Sequence, residues 1–208
     1  MSQHQSSPIP AALAGRISRR ATVAAAGAAS IALATAVAPS PSSADAEVSA
    51  PAVGEGIATI VQPGAGEVFD MTPAERFTWK ALGAETGGAF DAFEAAMQPG
   101  FPGPPEHIHD EADELFYVLE GSMRLKVGTE IVTAEAGAFA YVPRGTPHSW
   151  LNIHAGVSRM LTLFVPGGMR GFFEEASAVH QADPPDLEAL GAIAARFATR
   201  VVGPPLTL

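Results

Sequence analysis

Four side chains carry the clearest chemistry in this sequence: His107, His109, Glu114 and His148. His107 and His109 are two residues apart, so on a β-strand both imidazoles project from one face. Two imidazoles on one face can chelate a single ion. Glu114 follows a short acidic turn (Asp110, Glu111, Asp113) and opens an apolar run, Leu115 to Leu119, from which it can return to the same ion. His148 lies in a second segment, from Gly137 to Asn152, and brings a third imidazole from a distant strand. Against the metal reading stands a structural one, in which these histidines serve only the core. His4, His154 and His180 have no comparable partners. His154 shares strand parity with His148, Trp150 and Asn152, but a solvent-facing or satisfied histidine is the plainer expectation there.

The elements that must position these residues read as short strands. Phe77 to Leu82, Ala89 to Met97, Leu115 to Leu119, Ser122 to Val127, Glu130 to Ala134, Phe139 to Val142, Pro147 to His154 and Val157 to Val165 are separated by Gly or Pro turns. Met123, Leu125 and Val127 alternate with Arg124 and Lys126, which marks a hairpin with one buried face and the two basic groups outside. Regular short strands of this kind predict an all-β barrel or sandwich over residues 76–168. Beyond Pro166-Gly167-Gly168 the period turns helical. Met169 to Val179 gathers Phe172, Phe173 and Ala176, and Asp186 to Thr199 gathers Leu187, Leu190, Ile193, Ala194 and Phe197. Residues 169–208 therefore form a helical extension packing on one flank of the β body, with Val201 to Leu208 returning as an edge strand. Pro184-Pro185 ahead of Asp186 favours a helix start.

The N-terminal residues look like an address. Arg16-Ile17-Ser18-Arg19-Arg20 precedes an uncharged, alanine-rich run over residues 21–38. A basic region before an apolar one is the layout of an export signal, and the Arg19-Arg20 pair resembles a twin-arginine signal. Ala44-Asp45-Ala46 suits cleavage after Ala46, and residues 47–75, rich in Pro, Gly and Glu, read as a linker or N-terminal arm. The run is long enough for a marginal span, so an N-terminal membrane tether is the alternative. Its low content of large apolar residues argues against a stable anchor.

Composition removes several function classes. The chain of 208 residues has no cysteine, which excludes disulfides, thiolate metal sites and cysteine nucleophiles. Acidic residues outnumber basic ones 22 to 12, for a net charge of −10, which argues against nucleic-acid binding.

The two histidine segments resemble the two motifs of the cupin superfamily. His107, His109, Glu114 and Gly121 fit the first motif. Its opening glycine falls at Phe101, with Gly100 and Gly103 on either side. Gly137, Pro143, Gly145, His148 and Asn152 meet the second motif at every specified position. The resemblance implies a double-stranded β-helix, or jelly-roll, barrel with one interior metal ion held by His107, His109, Glu114 and His148. Such a donor set suits a divalent transition ion (Fe, Mn, Ni, Cu, Co or Zn) and leaves room for water or substrate. The wider pattern is similar to single-barrel, quercetin-dioxygenase-like cupins, including Thr86-Gly87-Gly88 and Gly171 to Glu175. That similarity implies a dioxygenase acting with O2 on a small, neutral or aromatic enol or phenol, with Glu114 as ligand and general base.

Strand parity adds Phe116, Val118 and Trp150 to the walls of a substrate pocket, joined by Phe93, Met97 and Met123. Few basic residues are available to grip a sugar phosphate or dicarboxylate, which counts against the epimerase and oxalate decarboxylase branches. A metal-dependent isomerase or decarboxylase and a non-catalytic binding barrel are the alternatives, and cupin barrels often pair into homodimers.

Overall fold

A computed structural model describes residues 54–180 and 186–208. The expected export signal, its cleavage point, His4 and Pro184-Pro185 lie outside these residues. Among the described residues, no helix is long and apolar enough to cross a membrane.

The chain folds into two antiparallel sheets. Strands β1 (Val68–Thr72), β2 (Glu75–Ala81), β3 (Asp91–Met97), β5 (Asp113–Glu120), β8 (Phe139–Val142) and β10 (Ser158–Val165) form a six-stranded sheet in the order β1-β2-β3-β10-β5-β8. Strands β4 (His107–His109), β6 (Ser122–Val127), β7 (Glu130–Glu135), β9 (His148–Asn152) and β11 (Thr199–Val201) form a five-stranded sheet in the order β11-β4-β9-β6-β7. Helices α1 (Arg170–His180) and α2 (Leu187–Arg196) follow β10. One core joins the two sheets, from Phe77, Trp79, Phe93 and Met97 of the first to Met123, Leu125 and Trp150 of the second.

The period-2 patterns explain the register. In β10, Ser158, Met160, Thr162 and Phe164 face inward while the residues between them are half-buried. A one-residue slip would turn all four outward. The turn at Gly121 does not close a hairpin with β5 but carries the chain from β5 in the six-stranded sheet to β6 in the five-stranded one, where β6 pairs with β7 and β9. Its φ of 80° suits glycine, and a Cβ there would lie 2.2 Å from Ser158 Oγ. Arg124 and Lys126 point outward as expected. Arg124 donates to the Thr207 carbonyl, and Lys126 pairs with Glu106.

Aromatic packing locks the helical extension onto the six-stranded sheet. The Phe173 ring of α1 lies 5.1 Å from Phe77, 5.2 Å from Phe93 and 5.8 Å from Phe164, centroid to centroid. Edge-on contacts of this kind add to the burial of the rings themselves. Asp186 caps α2 by accepting the Ala189 amide at 3.0 Å.

Four expectations are corrected. Residues 68–72, read as part of a linker, are strand β1, because Met71 is buried and Phe69 packs on Phe77. The C-terminal edge strand is Thr199–Val201 rather than Val201 to Leu208, since Pro204 and Pro205 have no amide hydrogen to donate to a ladder. The helix before it stops at Arg196, where Phe197 leaves helical geometry and Ala198 turns left-handed at φ 48°. Leu187, expected in the core, is 75% exposed on the first turn of α2, while Ile193 and Ala194 are buried.

Candidate metal centre

The four residues singled out by spacing meet inside the barrel. His107 and His109 come from β4, Glu114 from the second position of β5 and His148 from the first position of β9. All four are buried, and one donor atom from each lies within 4.8 Å of every other. Four donors gathered this closely can share one ion, whose contacts of about 2.1 Å would draw them to roughly 3–4.2 Å from one another.

Backbone pairing sets this geometry. His107 is registered against His148 across β4 and β9, and Glu114 opposes Phe164 and Val142 in the facing sheet. The motif turn is tied to β4 by the Gly145 amide, which donates to the His109 carbonyl at 2.8 Å. Asn152, which ends the second motif, is a framework residue. Its side-chain amide donates to the carbonyls of Met97, Gln98 and Gly156, and its oxygen accepts from the His154 amide and the Ser158 hydroxyl.

Partners behind the rings decide which nitrogens face the centre. His107 Nδ1 is 2.9 Å from the Pro105 carbonyl, and His148 Nδ1 is 2.9 Å from the Thr146 carbonyl. A carbonyl only accepts, so both Nδ1 atoms carry the hydrogen and both Nε2 atoms present lone pairs. His109 Nδ1 lies 2.8 Å from Thr199 Oγ1, whose own hydrogen goes to the Phe197 carbonyl at 3.1 Å. The Thr199 oxygen therefore accepts from His109, and its Nε2 is open as well. Such partners fix ring orientation in metal-ligating histidines.

The result is a convergence of acceptors. The Nε2 atoms of His107 and His109 are 3.2 Å apart, and Glu114 Oε2 is 2.8 Å from His148 Nε2 and 3.3 Å from His109 Nε2. Lone pairs this close and this buried repel unless a proton or a cation lies among them. The donor set thus fits one metal ion.

Titration behaviour follows the same logic. Burial pulls the His148 pKa down, but the hydrogen bond and charge of Glu114 outweigh it and leave it raised. Burial, then the neighbouring His148 and His109, push His107 down to about 3. Burial would raise the pKa of Glu114, yet His109 and His148 together hold it well below the usual carboxylate range.

The six residues expected to line a pocket are all buried. Phe116 stands beside the centre, its ring 6.3 Å from that of His148. Trp150 packs on Phe101 at 5.8 Å, and Phe93 stacks among Phe77, Trp79, Phe164 and Phe173. Met97, Val118 and Met123 are fully enclosed in the core. His154 lies beyond the end of β9 and is exposed, and His180 closes α1 instead of sitting in a loop. The acidic turn is more engaged than expected. Asp110 pairs with Arg200, and Asp113 accepts from Arg144 and Tyr141, while Glu111 is exposed.

Spacing did not reveal Thr199, Phe164 or Glu75. Phe164 places its ring 5.2 Å from His109. Glu75 is buried on the inward face of β2 with Phe77 and Trp79, and the alternation Glu75-Phe77-Trp79 was the available signal. Gly103 accounts for the displaced glycine of the first motif. Its φ is 64°, and a Cβ there would come within 2.6 Å of the Trp150 ring.

The chain is 32% identical over 93 residues to quercetin 2,3-dioxygenase of Bacillus subtilis (strain 168), which covers 44% of this chain and 26% of that one, so it spans about a quarter of that relative's length. Among solved structures, KdgF from Halomonas sp. is similar with a TM-score of 0.48 at 19% identity, covering 53% of this chain and 96% of that one. Oxalate decarboxylase OxdC of Bacillus subtilis is similar with a TM-score of 0.42 at 19% identity, covering 49% and 28%. Residues 93–164 match the family model of the cupin domain, and the two antiparallel sheets that carry them form a cupin β-barrel.

Proposed function

We propose that the protein is an exported, metal-dependent oxidoreductase of dioxygenase type, acting on a small neutral or aromatic enol or phenol. The observation that carries this reading is the buried convergence of three Nε2 lone pairs and the Glu114 carboxylate, walled by Phe116 and Phe164. The partial likeness to a quercetin 2,3-dioxygenase supports it.

A bound divalent ion would supply Lewis acidity for a substrate oxygen. The protein supplies the rest. The carbonyls of Pro105 and Thr146 and the hydroxyl of Thr199 hold the three rings in one tautomer. Glu114, kept ionised by His109 and His148, accepts the proton of the enol or phenol. The aromatic walls exclude bulk water and orient the ring, and both atoms of O2 enter the cleaved product. Residues 1–46 are read as the export signal.

The test is O2 uptake by metal-loaded protein on flavonol-like substrates, for wild type and Glu114→Gln. Uptake by wild type that falls at least about 100-fold in the variant supports the assignment. Product formed without O2 would point to an isomerase or decarboxylase. Ligand binding with no product would point to a binding barrel.

A further inference from the structure

The C-terminal segment holds the histidine-bearing strand along its whole length. Strand β4 is three residues long and carries two of the four clustered side chains. On its barrel side it is registered against β9 at one position, His107 opposite His148, and the Gly145 amide reaches the His109 carbonyl. On its outer side it is registered against β11 at three positions, where Thr199 opposes His109, Arg200 opposes Ile108 and Val201 opposes His107. The pairing runs past both ends of β4. The Asp110 amide donates to the Ala198 carbonyl at 2.7 Å, and the Glu106 carbonyl accepts from the Val202 amide at 2.8 Å and the Gly203 amide at 3.2 Å. The Glu106 amide donates to the Pro204 carbonyl at 3.2 Å, and Arg200 pairs with Asp110. Residues 198–204 thus form a strap across the strand that bears His107 and His109.

The strap itself lies at an edge. Strand β11 ends its sheet, and Arg200, Val201 and Val202 are exposed. Ala198, which joins the strap to the end of α2, is left-handed at φ 48°, a strained conformation for alanine that persists only where surrounding contacts enforce it. Edge segments of this kind open at lower free energy than core strands. Within residues 198–204 the one buried side chain is Thr199, and it meets His109.

The charge at the centre acts on the same contact. Docking of the strap fixes the His109 ring with its Nε2 lone pair 3.2 Å from that of His107 and 3.3 Å from Glu114 Oε2. Without a cation these lone pairs repel, and the docked arrangement is opposed. A cation among them turns the repulsion into attraction and favours it. Lifting the strap takes away the acceptor behind His109 Nδ1 and leaves the ring free to turn from the ion.

We propose that docking of the strap on β4 and binding of the ion are coupled, so that the ion tightens residues 198–204 and lifting of the strap releases the ion. Residues 198–204 are then the element that retains the ion once it is loaded. The coupling rests on the ion site and holds whatever the substrate is.

Coupling of this kind is reciprocal, and the test reads both directions on the full chain with zinc as the probe. Hydrogen exchange with and without zinc reads the first. Zinc should slow the Val202 and Gly203 amides about tenfold, and should slow the paired amides of β7, the other edge of the same sheet, by less. Competition with a chromogenic chelator reads the second. Val202→Pro removes one amide donor of the strap and touches none of the four clustered side chains, and it should weaken zinc binding about tenfold. Slowing of the strap and β7 alike marks general stabilisation and overturns the proposal. So does a folded Val202→Pro protein with wild-type zinc affinity. If Val202→Pro does not fold, exchange in wild type decides alone. Wild type that binds no zinc removes the ion site, and the coupling with it.

Discussion

The Thr199 hydroxyl oxygen lies 2.8 Å from Nδ1 of His109, 90 residues earlier in the chain. Strand β11 carries Thr199 there by pairing with β4, Thr199 opposite His109. The C-terminal extension thus contributes a residue to the histidine cluster and does more than cover one flank. A carboxylate or hydroxyl behind a ligating imidazole sets its orientation and basicity.

Removing that hydroxyl weakens the site without removing a ligand. Thr199→Val should lower metal affinity by about 10–100-fold, read by competition with a chromogenic chelator, while Thr199→Ser should stay near wild type. Equal affinities for the Val variant and wild type would show that the contact does not orient His109.

The ligands themselves give a stronger effect. His107→Ala combined with His109→Ala should abolish near-stoichiometric metal binding, measured by elemental analysis of protein purified without a metal-affinity tag. Adding metal should raise the melting temperature of wild type and leave that of the double variant in place, because only a ligand that binds the folded state stabilises it.

The metal-free protein should show two opposed pH dependences. Glu75 has its folded pKa raised to about 8 from an ordinary 4.5, so the folded state holds the proton more tightly than the unfolded one. The stability this provides is complete below pH 4.5 and is lost as pH rises through 8, an effect on the order of a few kcal/mol. His107 works at the acid end. Its pKa is pushed down from 6.5 to about 3, so its contribution is complete above pH 6.5 and is lost as pH falls toward 3. Denaturant titrations of wild type and Glu75→Gln at pH 5 and pH 8.5 isolate the first effect. A difference between the two proteins that does not change with pH would refute it.

Phe173 should be the residue that holds α1 to the sheet. It is buried against Phe77, Trp79, Phe93 and Phe164, and Phe173→Ala should cost about 3–5 kcal/mol by chemical denaturation. Leu187→Ala, on the exposed first turn of α2, should change stability by less than about 0.5 kcal/mol.

Export gives a chemical readout. Expressed in a host with a twin-arginine pathway, the protein should leave the cytoplasm with Glu47 as its first residue, read by N-terminal sequencing. Arg19→Lys with Arg20→Lys should retain it inside.

The four clustered side chains were legible in the sequence as candidates because their geometry is local. A two-residue spacing on a strand places His107 and His109 on one face whatever surrounds them, and Glu114 opens the adjoining strand only five residues after His109. The alternation along β6 and β10 likewise showed its buried face, since one side of each strand must be apolar to reach the core. Other features depended on contacts between distant segments. Val68–Thr72 has little pattern of its own and becomes a strand by pairing with β2. Thr199 acquires a role only when β11 aligns with β4, and no spacing rule connects residues 109 and 199. The hydrogens on Nδ1 of all three ligands are set by oxygens of Pro105, Thr146 and Thr199, which only folding brings behind the rings. Residue types and short spacings therefore determined which side chains this protein could offer to a cation. The tertiary structure decided which atom each offers and that Glu75 shares their interior, because tautomer, burial and field depend on neighbours far away in the chain.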